Sequence, residues 1–233
     1  MLRGRLFVRR EVVVPTWQGW SVIVGIPVVI AVFVLVTIYP FLNTNRPLGR
    51  GILVVEGWMS KRQLATCAEI ARSGAYDSVF VTGGPIAEGT FFSELYPQFN
   101  TIAEVGAHQL ASAGLTTVVA VPRPEVAKDR TYHSGLTLRK RVLGRGPQTM
   151  DVVSEGPHAR RSWMLYAAAL DGVADVGILA VDPIVYDPER WWTKSSGVRS
   201  MIGELLAYGY ATFLFYPNPD EDLERMVRKE DAQ

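Results

Sequence analysis

From Thr16 to Asn45 the chain carries no charged side chain, and the stretch Trp20–Tyr39 is apolar on every face. Roughly 20 apolar residues span the hydrocarbon core of a bilayer as a helix. Trp17, Trp20, Tyr39 and Phe41 stand near its ends, where amphipathic rings favour the lipid–water boundary. A core helix of a water-soluble domain seldom needs such length without one charge. The sequence therefore predicts a transmembrane anchor over residues 17–42, with the lipid bilayer as its partner. Pro27 lies inside it, which a membrane helix tolerates as a kink.

Arg3, Arg5, Arg9 and Arg10 precede the anchor, opposed only by Glu11. Positive flanks stay in the cytoplasm. Residues 1–16 read as a basic cytoplasmic N-terminus, and everything beyond the anchor as extracytoplasmic, in a single-pass inner- or plasma-membrane protein. The apolar stretch exceeds a signal-peptide core and no Ala-x-Ala-like site follows it, so the anchor reads as uncleaved. Residues 43–50 read as a linker, 51–216 as the folded domain and 217–233 as a charged, solvated tail.

The formal net charge of the 233 residues is +1, and the first eleven contribute +3 through four arginines and one glutamate. The remainder thus sums to −2. No basic field exists there, which argues against a nucleic-acid partner. The one cysteine, Cys67, excludes an internal disulfide and sits in a helical apolar pattern, where it reads as a small buried residue. With three histidines and one cysteine there is no zinc-ligand spacing. No metal site and no cofactor is evident.

Past the linker, short β-branched runs alternate with helical ones. Strands are expected at Gly51–Glu56, Ser78–Thr82, Thr116–Val121, Met150–Ser154 and Asp175–Val181. Helices are expected at Ser60–Ser73, Thr101–Ala113, Thr131–Val142, His158–Leu170 and Gly197–Phe215. Continuously apolar strands separated by helices imply a mostly parallel sheet covered on both faces. The expected fold is α/β: a Rossmann-like three-layer domain of about five strands. Ligands in such sheets bind outside the carboxyl ends of the strands.

Polar groups gather at those ends. Glu56 follows the first strand, and Thr82, Gly83 and Gly84 close the second. Arg130 and Thr131 open the helix after the third. Ser154, Glu155, His158, Arg160 and Arg161 follow the fourth. A neutral His158 at a helix N-terminus is suited to acid/base work. Arg160 or Arg161 suits a phosphate or carboxylate, or is solvated or paired, with Glu155 as a helix cap. Thr82-Gly83-Gly84 either cradles an anion through its amides or makes a tight turn. No P-loop, G-x-G-x-x-G or G-x-S-x-G pattern stands in the right context, so Ser154 is a weak nucleophile candidate. Trp191 and Trp192 either stack on a sugar, touch a membrane, or pack the last helix onto the sheet. That helix, with Arg199 and Glu204 near its start, reads as docked rather than as a second span.

One N-terminal anchor, then Val-Glu-Gly-Trp58, Val-Thr-Gly-Gly84, Asp-Arg-Thr-Tyr-His-Ser134, Ser-Glu-Gly-Pro-His-Ala-Arg-Arg-Ser162 and Tyr-Asp-Pro-Glu-Arg-Trp-Trp192: this pattern resembles the YdcF/SanA/ElyC-like family, from about Gly51 to Tyr216. The resemblance implies a Rossmann-like fold and a link to cell-envelope polymers, without a settled reaction. Family positions match His158 and Arg161, Arg130-Thr131, and Gly83-Gly84. The chain departs after the first strand, where many members carry an Asp and a Gly-rich turn and this one has Glu56-Gly57-Trp58. The expected function is action on, or binding of, a phosphate-bearing envelope intermediate such as a lipid-linked sugar. His158 and Glu56 are the candidate catalytic pair. Thr82, Gly83, Gly84, Arg130, Thr131, Ser154, Glu155 and Arg161 are the candidate ligand contacts. The alternatives are a non-catalytic nucleotide-like or glycan-binding module and an envelope-assembly scaffold. The sequence names no protein partner.

Overall fold

The computed structural model describes residues 12–146 and 148–231. The basic cluster Arg3–Arg10 and Glu11, on which the orientation argument rests, lies outside the described residues. The chain divides into two compact units at Thr37.

The first unit is dominated by helix α1, Trp17–Leu42, whose last residues, from Ile38 on, belong to the second unit. It is one helix long and apolar enough to cross a membrane, and none of its most apolar stretch is buried. Such exposure suits a lipid-facing helix and not a core helix.

The second unit begins at Ile38 and holds a five-stranded sheet. In chain order its elements are β1 (Arg50–Glu56), α2 (Lys61–Ser73), β2 (Ala75–Gly83), the short α3 (Phe91–Leu95), α4 (Ile102–Ser112), β3 (Val118–Pro122) and α5 (Arg130–Val142). Then come β4 (Gln148–Glu155), a 3-10 turn (Gly156–His158), α6 (Ala159–Ala169), β5 (Ala174–Val181), a 3-10 turn (Pro188–Thr193), α7 (Ser195–Phe213) and α8 (Pro219–Glu230). The strand order is β3-β2-β1-β4-β5 and every pair is parallel. The α/β, Rossmann-like expectation holds.

Strand residues alternate between two cores, as a period of two requires. Leu53, Val55, Val79, Val81 and Val153 face α2 and α4. Ile52, Val54, Phe80, Met150, Val152 and Ile178 face α5 and α6. Helix starts carry their own instructions. Ser60 caps α2 in a reciprocal box with Gln63, and Thr101 caps α4 with Glu104, each satisfying two otherwise orphaned amides. Order reverses between β1 and β4, so the crevice at their carboxyl ends is where this topology places a ligand.

Two expectations change. Residues 43–49 are not a free linker: Arg46 exchanges backbone bonds with Ile178 of β5 (2.7 and 3.1 Å). Asp151, fully buried, accepts from the amides of Leu48 (2.8 Å) and Gly49 (2.7 Å) and from Tyr76 Oη (2.8 Å). A buried carboxylate must find such donors, and here the chain entering the sheet supplies two. The charged tail is not a solvated end either. Within it, α8 turns Leu223 and Met226 onto Tyr132 and Leu136, Asp222 accepts from Tyr132 Oη (3.0 Å), and Asp220 pairs with Arg139 (2.5 Å). The acidic residues that made the tail look solvated are its docking contacts.

Candidate functional site

The β1, β2 and β4 ends, the α5 start and the flank of α7 enclose an open cleft of about 790 Å³. Glu56 is the last residue of β1 and is 3 % exposed. It accepts from Ser154 Oγ (2.6 Å) and Ser162 Oγ (3.2 Å). Ser154, fully buried, therefore stands behind the carboxylate and does not line the cleft. Its hydroxyl is committed as a donor, so it positions Glu56 and is no nucleophile.

His158 ends the 3-10 turn that follows β4, a turn opened by Gly156-Pro157, where a missing proline N–H costs nothing. Its Nε2 lies 3.8 Å from Glu56 Oε1 and its Nδ1 3.0 Å from Glu204 Oε1. Arg161, one helical turn on, binds Glu204 through Nε (2.9 Å) and Nη2 (3.2 Å), and Nη2 also approaches His158 Nδ1 (2.8 Å). An ionised carboxylate only accepts. Burial raises the Glu204 carboxyl, but His158 and Arg161 together outweigh it and hold the group at about 2. His158 Nδ1 thus meets both Glu204 Oε1, which only accepts, and Arg161 Nη2, which only donates. Nε2 stands beside Glu56 at the cleft. Trp58 stands edge-on to the imidazole, with ring centres 5.5 Å apart, and lines the cleft.

The opposite wall is cationic. Arg123, Lys128 and Arg130 line it, with Asp129 as the one carboxylate among them. Among the described residues, neither Arg123 nor Arg130 forms an ion pair. Arg123 donates to its neighbour's carbonyl on Pro124 (2.9 Å). Burial and then the Arg130 charge push its guanidinium below the ordinary range. Gly84 makes room for it: a Cβ there would come within 2.5 Å of Arg123 Cζ. At the same wall α5 starts without a side-chain cap, because Asp129 adopts the left-handed conformation (φ 54°) and its carboxylate does not reach back. The first-turn amides of a helix with no side-chain cap, flanked by guanidinium groups, are a chemistry that suits an anion.

Of the residues singled out in the sequence, Glu56, Thr82, Gly83, Gly84, Arg130, Thr131, Glu155, His158 and Arg161 come together around the cleft. Several have other duties. The Thr82 hydroxyl is bonded to Tyr166 Oη (2.8 Å). Glu155 makes no helix cap; its carboxylate accepts from Gln63 Nε2 (2.8 Å). Arg161 is paired with Glu204 and so is not a free phosphate ligand. Arg160 lies away from the cleft, its guanidinium over the Phe41 ring at 4.1 Å. The tryptophan pair lies outside the cleft too: Trp191 is buried and Trp192 exposed. Cys67 is fully buried and burial pushes its thiol up to about 12, as its helical pattern foretold. Among the described residues no group of three or more His, Cys, Asp or Glu is arranged to hold a metal ion.

Sequence reasoning passed over Glu204, Arg123 and Lys128. The signals were present: Glu204 is a single carboxylate in the apolar stretch Met201–Ala207, and Arg123 directly follows the third strand. No family model, curated protein or solved structure matches this chain.

Proposed function

We propose that this chain is a membrane-anchored, extracytoplasmic domain that binds and acts on a phosphate-bearing cell-envelope intermediate, of the lipid-linked-sugar class. The observation that carries the reading is one cleft with two chemically opposite walls. Arg123 and Arg130, which form no ion pair among the described residues, stand with the uncapped α5 start in the same cleft as a buried carboxylate–imidazole pair. Guanidinium groups and helix-start amides suit a phosphate. Glu56 and His158 Nε2, 3.8 Å apart, suit a hydroxyl or water held between them, with Nε2 as the proton acceptor. Glu204 orients the imidazole and stabilises the charge it gains. Trp58 takes the sugar-stacking role that the sequence reading offered to Trp191 and Trp192. The resemblance of Val-Glu-Gly-Trp58 and Ser-Glu-Gly-Pro-His-Ala-Arg-Arg-Ser162 to the YdcF/SanA/ElyC-like family supports the envelope setting.

A non-catalytic binding module is the second reading. The pairing of Arg161 with Glu204 favours it, because it removes one cation from catalysis and leaves a built anion wall.

The test is thermal unfolding of the full chain in detergent micelles against inorganic phosphate, a polyprenyl-phosphate analogue and nucleotide sugars. A ligand at a hundredfold its Kd adds about 2.7 kcal/mol. We expect a rise with a phosphate-bearing lipid or sugar that is lost in Arg123→Ala and in Arg130→Ala. Binding retained by His158→Ala with loss of turnover supports catalysis. Binding without turnover in the unmodified chain supports the module. No rise with any of these ligands removes the anion-site reading.

A further inference from the structure

The helix that supplies Glu204 has a second face. Around α7, Met201, Gly197 and Ala211 point inward and are buried, and Ser200, Glu204, Ala207 and Tyr210 line the cleft. On the side away from the core, Ile202, Leu205, Leu206 and Phe213 recur at helical spacing and are exposed, Leu206 and Phe213 each by 70 %. A contiguous apolar stripe on a helix marks a surface that is covered in use.

The fold says what covers it. Phe41, in the last turn of α1, packs edge-on against Tyr208 of α7, with ring centres 5.4 Å apart. The Nε of Arg160 donates to the Phe41 carbonyl and its guanidinium caps the ring. Tyr39 Oη donates to Asp182 (3.3 Å), just past β5. The domain is thus entered beside α7, at the carboxyl edge of the sheet where the cleft opens. Tyr210 stands between stripe and cleft, and Tyr216 follows the helix, 85 % exposed. Tyrosine at the rim of an apolar face is the pattern of the lipid–water interface, and Arg160 and the exposed Arg199 are placed for lipid phosphates.

We propose that the outward face of α7 lies in the lipid–water interface of the same bilayer that α1 crosses, so that the cleft mouth opens at the membrane surface. Lipid burial of an amphipathic face is an interfacial mode distinct from spanning. The proposal rests on reading α1 as a membrane anchor. A lipid-borne headgroup then reaches Arg123 and Arg130 by lateral diffusion, without leaving the membrane.

The experiment uses the full chain reconstituted in vesicles of phosphatidylcholine and phosphatidylglycerol. A polarity-sensitive fluorophore is attached at Leu206→Cys, at Phe213→Cys and, as control, at the exposed Glu69→Cys of α2; Cys67 is buried and stays unlabelled. We expect blue-shifted emission at 206 and 213, quenching by brominated lipids several-fold above that at 69, and protection from aqueous iodide. Free access of iodide at 206 and 213 in protein that co-floats with the vesicles overturns the proposal. Protection from both quenchers overturns it as well, since a protein or a second copy then covers the stripe. Protein that does not co-float at all shows instead that the anchor reading has failed.

Discussion

Glutamine in place of Glu204 tests the imidazole network directly. Moving a carboxyl from its ordinary 4.5 to about 2 is worth on the order of 3 kcal/mol at neutral pH. The side chain is only 20 % exposed, so solvent does little to screen it. The sign is fixed: a carboxyl held low in the folded state stabilises fully above its unfolded value and progressively less as pH falls toward the folded one. By pH 3 the contribution shrinks to about 1 kcal/mol. A domain of this size changes by about 2–4 °C per kcal/mol. The amide keeps one acceptor for Arg161, so we expect Glu204→Gln to melt at least about 4 °C below the unmodified protein at pH 7. The gap between the two curves should shrink to less than half as pH is lowered to 3. The assay is calorimetry of the full chain in micelles at both pH values. An equal gap at pH 7 and pH 3, or none at pH 7, would refute the ion-pair origin of the effect.

Other outcomes follow from particular contacts. Asp151→Ala strips acceptors from two amides and one tyrosine hydroxyl; a loss of about 2–3 kcal/mol is expected, seen as a lower Tm with new protease cuts between residues 43 and 50. Trp191→Ala removes a buried ring and should cost about 3–5 kcal/mol in a denaturant melt. Trp192→Ala, one residue on and exposed, should stay within about 0.5 kcal/mol. Iodoacetamide at pH 8 should leave Cys67 unmodified in the folded protein and label it in denaturant, because its thiol is buried and held at about 12. Rapid labelling under native conditions would contradict that burial.

The sheet was legible because its strands are buried on both faces and so read as unbroken apolar runs, each ended by a turn signal. Boundaries moved by a few residues where pairing extends past the apolar run: β2 begins at Ala75, ahead of Asp77, and β4 at the polar Gln148, starts that periodicity does not flag. The cleft was legible to the extent that its residues follow strands. Glu204 comes from a helix more than forty residues beyond His158, and only the packing of α7 across the sheet edge brings them together. Ser154 misled for the complementary reason. It sits at a strand end like its neighbours, but the pleat turns it inward behind Glu56. The tail misled because acidic side chains read as solvent-seeking, whereas Asp220 and Asp222 find Arg139 and Tyr132 on α5.

The segment that joins α1 to β1 bears on how the protein is processed. A peptidase must draw its substrate into an extended conformation and bind the substrate's backbone itself. Between Asn43 and Arg50 that backbone is already spoken for, at Arg46 by β5 and at Leu48 and Gly49 by Asp151. Cutting there requires the sheet edge to give way first. A peptidase therefore separates the domain from the apolar helix at these residues only where that edge has opened.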